Sequence, residues 1–226
     1  MTINSSAAQR LTDLLGLTRP PVAVTFDAVV VAPVAPVAAQ PAGCCFWAPA
    51  QEQRLDTVAA DHSNCSVGSY THGLIPLAQA AAGADTAALV GSGWVAEKDL
   101  MAAAALGFRP ESITYQPLTD SDRADVVLVR LSATGLMILM GAFPDVTVAA
   151  KPQCVIVPLA MSGQIAVSPG CAVSRTRTGL PTDDLTCALP ASRMAQIIER
   201  LEASVASDRA VSEFAAADMV SNFTRA

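Results

Sequence analysis

Large and charged side chains are both in short supply. Aromatics make up 4% of the 226 residues and Asp, Glu, Lys and Arg together 15%, while 52% are hydrophobic. The formal charge is −6 and no Lys/Arg cluster occurs. Nucleic acid is a polyanion held largely by cationic side chains, so no nucleic-acid partner is expected. Nor does any acidic run suggest a disordered tail. Mean hydropathy is +0.41. Yet the longest apolar stretches, 28–39 (broken by Pro33 and Pro36) and 133–143, fall well short of the roughly 20 residues that cross a bilayer. Residues 1–17 lack a basic segment followed by an apolar one, so no signal peptide is read there. The expectations are a cytoplasmic location and no membrane partner.

Familiar motifs are missing too. Gly91-Ser92-Gly93 is not a G-x-G-x-x-G fingerprint, and there is no Walker loop and no G-x-S-x-G elbow. The six cysteines include no C-x-x-C pair, which argues against zinc ribbons, a thioredoxin-type motif and the compact ferredoxin run.

What is present is ample Ala- and Val-rich core material for one large domain, 1–226. Apolar spacing predicts an N-terminal helix over 6–15, stopped at Gly16 within the segment 1–20, and a strand over 22–26. Residues 28–41, with Pro33, Pro36 and Pro41, read as an extended connection. A short helix is predicted over 46–53 and a strand over 55–60. Helices follow over 76–88 and 96–106, and strands over 113–117 and 124–131. Ser132 caps a helix over 133–143. Residues 146–150, 154–159 and 165–168 read as strands. Helices over 191–204 and 211–223 close the chain, the latter within a C-terminal segment 205–226. The interleaving implies an α/β fold, with α+β as the neighbouring class: a mixed β-sheet covered by helices.

A reducing compartment makes metal binding, catalysis or burial better readings of six cysteines than disulfides. Cys44 lies at a glycine turn beside Phe46-Trp47. Cys65 lies in a polar loop that starts a helix, a position that favours the thiolate. Cys171 follows Pro169-Gly170 at a strand end, Cys187 lies between Asp183-Asp184 and Pro190, and three of the four stand in turn-forming surroundings. These four are the candidate metal ligands. Cys45 and Cys154, the latter in an apolar run, read as packing.

Three functional classes follow. The first is a metalloprotein with an iron–sulfur cluster on Cys44, Cys65, Cys171 and Cys187, doing redox or Lewis-acid chemistry. Arg175 and Arg177 would hold a small anionic substrate. Zinc on the same thiolates, or haem held by His or Cys, are the alternative groups. The second is a metal-free enzyme with Cys65 as nucleophile and His62 or His72 as general base, oriented by Asp61. The third is a small-ligand module lined by Trp47, Phe46 and Trp94. A small-molecule substrate or redox partner suits the first two, and nothing speaks against a homo-oligomer.

Several segments together resemble a known family. They are Pro21-Val22-Ala23-Val24, Cys44-x-Phe46-Trp47, Asp61-His62-x-Asn64-Cys65-Ser66-Val67-Gly68 and Thr71-His72-Gly73. Lys151-Pro152-Gln153-Cys154, Gly170-Cys171-x-x-Ser174-Arg175-x-Arg177-Thr178-Gly179 and Asp183-Asp184-x-Thr186-Cys187-Ala188-x-Pro190 fit the same pattern. From about Pro21 to Leu201 the chain is similar to the domain of unknown function 169. The resemblance implies that Cys44, Cys65, Cys171 and Cys187 belong to motif segments, and that the position of Cys45 is often not cysteine. It does not imply a ligand.

Overall fold

The computed structural model describes residues 5–29, 42–149 and 151–223. The predicted extended connection over 28–41 therefore lies almost wholly outside the described residues. Helix α1 (Ser5–Leu15) has Ala8, Leu11 and Leu15 on one buried face and stops at Gly16, whose φ of 60° suits a residue without Cβ. Strands β1 (Val22–Asp27), β2 (Leu55–Thr57), β3 (Ser112–Pro117) and β4 (Val126–Leu131) are followed by β5 (Thr147–Val148), β6 (Ala166–Ser168) and β7 (Leu185–Pro190). They form one sheet in the order β2-β3-β1-β4-β7-β6-β5. Every neighbouring pair is antiparallel except β5–β6, so the sheet is mixed, as expected.

Period-two alternation divides the strands between two cores. Val127, Val129 and Leu131 of β4 face one core with Cys187 and Leu189 of β7, while Val126 and Leu128 face the other with Ala188. The first core is roofed by α1, by α7 (Ala133–Ala142) and by the start of α10 (Met194–Phe223). Ser132 caps α7 as predicted, its Oγ accepting from Gly135 N–H at 3.1 Å. Ile197, Ile198 and Leu201 of α10 are buried here, each contributing about 1.5–3 kcal/mol. The second core is covered by α2 (Gly43–Phe46) and α8 (Ile156–Met161). Beyond it lie α3 (Ser66–Thr71), α4 (Leu77–Ala81), α5 (Ala84–Gly91), α6 (Glu97–Met101) and α9 (Ala172–Thr178). No helix of the described residues is long and apolar enough to cross a membrane.

Four local expectations are corrected. Residues 154–159 form a 3-10 turn and α8 instead of a strand; a short apolar run does not distinguish the two, and Pro158 is tolerated in a first helical turn. The helix expected over 46–53 starts earlier, at Gly43, and is followed by a 3-10 turn over Pro49–Gln51. The helix expected over 76–88 breaks into α4 and α5 at Gly83, where a Cβ would lie 2.4 Å from Ser66 Oγ. The two C-terminal helices are one, because nothing between 204 and 211 breaks a helix.

Candidate functional site

A cavity of about 230 Å³ opens on the helical side of the second core. Four cysteines from four elements line it: Cys44 of α2, Cys65 before α3, Cys154 in the turn before α8, and Cys171 before α9. Trp94 and Arg177 also line it. The rest of the wall is mainly apolar, with Val67, Leu89 and Leu100.

Cys65-Ser66-Val67-Gly68 and Cys171-Ala172-Val173-Ser174 repeat one local construction. Each cysteine is the N-cap of its helix in extended backbone. Cys65 Sγ accepts from Gly68 N–H at 3.4 Å, and Cys171 Sγ accepts from Ser174 N–H at 3.3 Å. These are the positions where a side-chain acceptor satisfies an orphan helix donor. The capping hydrogen bond therefore fixes each sulfur. Ser174 Oγ accepts from Cys171 N–H at 3.2 Å and donates to Gln153 Oε1 at 2.9 Å, tying α9 to the residue before Cys154. Asp85 secures α3 by accepting from Ser66 N–H at 2.7 Å and Ser66 Oγ at 2.6 Å.

Burial pushes the Cys65 thiol up despite the Gly68 N–H contact, and it pushes Cys154 up as well. Cys44 is raised by its hydrogen bond with Cys45 and by burial. Cys45 is drawn down to about 6, by that same hydrogen bond and by the Arg177 cation, against its own partial burial. The expected thiolate at Cys65 is thus reversed, because desolvation outweighs one N–H contact. A cation or cluster in the cavity would offset that desolvation.

Cys187 is not with these thiols. It lies within β7, fully buried, and its side chain packs in the first core, across the sheet from Ala188. Its expected place among the four clustered thiols is corrected: the strand begins at Leu185, directly after the acidic pair, and aims Cys187 at the other core. Cys154, read from sequence as packing, takes the fourth place around the cavity. Only the fold of 153–161 as turn and helix exposes this, since the local sequence is an apolar run. No group of three His, Cys, Asp or Glu among the described residues is arranged to hold a single metal ion.

Neither histidine reaches the cavity. His62 and His72 are fully buried and their rings lie 5.9 Å apart. His72 Nδ1 donates to Gly68 O at 2.8 Å. Thr57 Oγ1 donates to Ile113 O at 2.8 Å, so at 3.0 Å from His62 Nε2 it must accept. Each ring thus spends one nitrogen as a donor, and burial favours the neutral form with a lone pair on the other; neither His62 Nδ1 nor His72 Nε2 has a partner among the described residues. Those nitrogens lie within 3.5 Å of where a Gly43 Cβ would stand. Burial depresses His72 to about 4 and His62 well below its usual value. No hydrogen bond joins either ring to Cys65 among the described residues, so the expected cysteine–histidine dyad is not assembled. Asp61 does not orient them; its carboxylate accepts from Val58 N–H at 2.9 Å.

The two arginines separate as well. Arg175 is committed to backbone, donating to Pro169 O at 2.6 Å and to Pro181 O and Asp184 O at 2.9 Å. Arg177 makes one such bond, to Asn64 O at 3.0 Å, and faces the cavity. Trp47, expected to touch substrate, is buried in the second core, as is Phe46. Trp94 is the cavity's tryptophan, with Lys151 Nζ 4.8 Å above its ring.

Residues 10–200 match the family model described as Uncharacterised ArCR, the domain of unknown function 169, and the chain belongs to that family. No curated protein and no solved structure matches it.

Proposed function

We propose that this chain is an iron–sulfur protein acting in redox or Lewis-acid chemistry on a small anionic substrate. Cys44, Cys65 and Cys171 hold the cluster, with Cys154 as the fourth thiol in place of Cys187. The observation that carries this reading is the convergence of four free cysteines, from four separate elements, on one largely apolar cavity. Backbone N–H groups on the sulfurs of Cys65 and Cys171 suit ligating thiolates. The thiols ring the cavity instead of closing on one point, which favours a cluster over a single zinc. Haem is less favoured: the cavity is below the size of sites for ligands that large, and both histidines stand outside it. When bound, a cluster supplies one-electron transfer or an iron that polarises substrate. Arg177, with donors beyond its bond to Asn64, would orient an anion at the rim, and Trp94 would limit water. In this reading the protein works in the cytoplasm with a small molecule or a redox partner. The thiol-enzyme alternative lacks its base, since no imidazole meets Cys65.

Anaerobic purification followed by an absorption spectrum and iron and sulfide analysis tests the proposal. Iron and sulfide in the wild type, lost in Cys65→Ser and Cys171→Ser and retained in Cys187→Ser, is the expected pattern. Protein that carries neither iron nor sulfide, even after anaerobic reconstitution, refutes it.

A further inference from the structure

Away from the cysteine cavity, Arg130 of β4 is 8% exposed on the second-core face of the sheet. A cation this buried is ordinarily paired with a carboxylate. Arg130 has no ion pair among the described residues; its one hydrogen bond is from Nη1 to Thr186 Oγ1, its cross-strand neighbour. The guanidinium carries five N–H donors, so most of its donor capacity is unused.

Arg130 opens into a crevice of about 40 Å³ between the turn after α2 and the end of α9. Gln51, 9% exposed, lines the same crevice, and its side-chain amide makes no hydrogen bond among the described residues. Arg19, exposed at the rim, has no side-chain hydrogen bond or ion pair among the described residues either. Among the described residues Asp184 is the one carboxylate lining the crevice, and it forms no ion pair with either arginine. Arg175, which faces the same region, is spent on the carbonyls of Pro169, Pro181 and Asp184 and adds a further positive charge. Burial lowers Arg130 to about 10, with the Asp184 charge acting against that shift, so the side chain stays cationic at neutral pH.

We propose that this crevice is a binding site for a small planar oxyanion, a free carboxylate of formate size or the carboxylate end of a larger acid. The volume excludes anything bulkier inside the crevice. A guanidinium fork matches a planar carboxylate in two parallel hydrogen bonds. Gln51 adds a neutral donor, and Arg19 raises the local anion concentration at the entrance. The site is separate from the cysteine cavity and holds whether or not a cluster does.

Sodium formate is the probe, titrated against the full-length protein at constant ionic strength set with sodium methanesulfonate, which is too bulky for a crevice of this volume. The thermal midpoint of the wild type is expected to rise with formate and saturate. Arg130→Met is expected to abolish the response while unfolding no earlier than wild type without formate, because it removes an uncompensated buried charge. Should Arg130→Met fail to fold, Arg19→Ala and Gln51→Leu decide: each is expected to weaken apparent formate affinity severalfold. A wild-type midpoint indifferent to formate overturns the proposal. So does a full response in Arg130→Met, or unchanged affinity in both rim variants. Acetate, whose methyl group must point out of the crevice, distinguishes a carboxylate end from a free small anion: equal affinity assigns the former, loss of binding the latter.

Discussion

Acidification should destabilise this protein through its two buried histidines, in a pH window set by their surroundings. His72 titrates near 6.5 in the unfolded chain and is held down to about 4 in the fold, chiefly by burial, with the Gly68 carbonyl opposing. A base whose folded value is depressed contributes stability that is complete above the unfolded value. That stability is lost as pH falls from about 6.5 toward 4. At 1.36 kcal/mol per unit, the shift corresponds to about 3 kcal/mol in all, a large share of a typical domain's stability. His62 is depressed in the same direction and steepens the loss. Denaturant midpoints measured at steps across this window give the slope. His72→Asn keeps a donor where Nδ1–H meets Gly68 O but cannot titrate, so its profile should be visibly flatter than the wild type's. An identical pH slope in His72→Asn and wild type would refute the neutral-histidine assignment.

Other expectations concern packing and the cavity. Gly43→Ala would bring a Cβ to 3.2 Å from His72 Cε1 and 3.5 Å from His62 Nδ1, so calorimetry should show a loss of about 1–3 kcal/mol. Leu201→Ala removes a fully buried side chain from the first core and should cost about 2–5 kcal/mol in denaturant unfolding. Asp85→Ala frees Ser66 from two hydrogen bonds; a loss of about 1–3 kcal/mol is expected, together with faster amide exchange at the start of α3. In the reduced protein without metal, a limiting electrophile should label Cys45 ahead of Cys65, since Arg177 and Cys44 favour the Cys45 thiolate while burial disfavours that of Cys65.

The fold was readable wherever local chemistry and tertiary demand agree. The face of Leu11 and Leu15, the stop at Gly16, the Ser132 cap and the apolar run of β4 all appear where periodicity and capping put them. Agreement failed where one short pattern serves two structures. Val155-Ile156-Val157 has strand chemistry, but the chain there needs a helix to close the second core. At the break between α4 and α5 the fold needs a glycine because Ser66, seventeen residues earlier in the chain, lies where a Cβ of residue 83 would stand.

By itself the sequence determined the inventory: six cysteines without tight knuckles, few aromatics, no Lys/Arg cluster, and family membership. It also marked Cys65 correctly as a cysteine at a helix start, because capping is a local interaction spanning three residues, whereas the same capping role of Cys171 was not legible behind Pro169-Gly170. Which thiols meet was decided only in three dimensions. Cys187 and Ala188 are adjacent in the chain yet face opposite cores, since successive strand side chains point to opposite sides. Cys154 gained the place Cys187 lost because a turn and a helix, not a strand, carry it to the cavity. Likewise His62 and His72, polar loop residues to the eye, became neutral interior groups once Thr57 and Gly68 took one nitrogen of each.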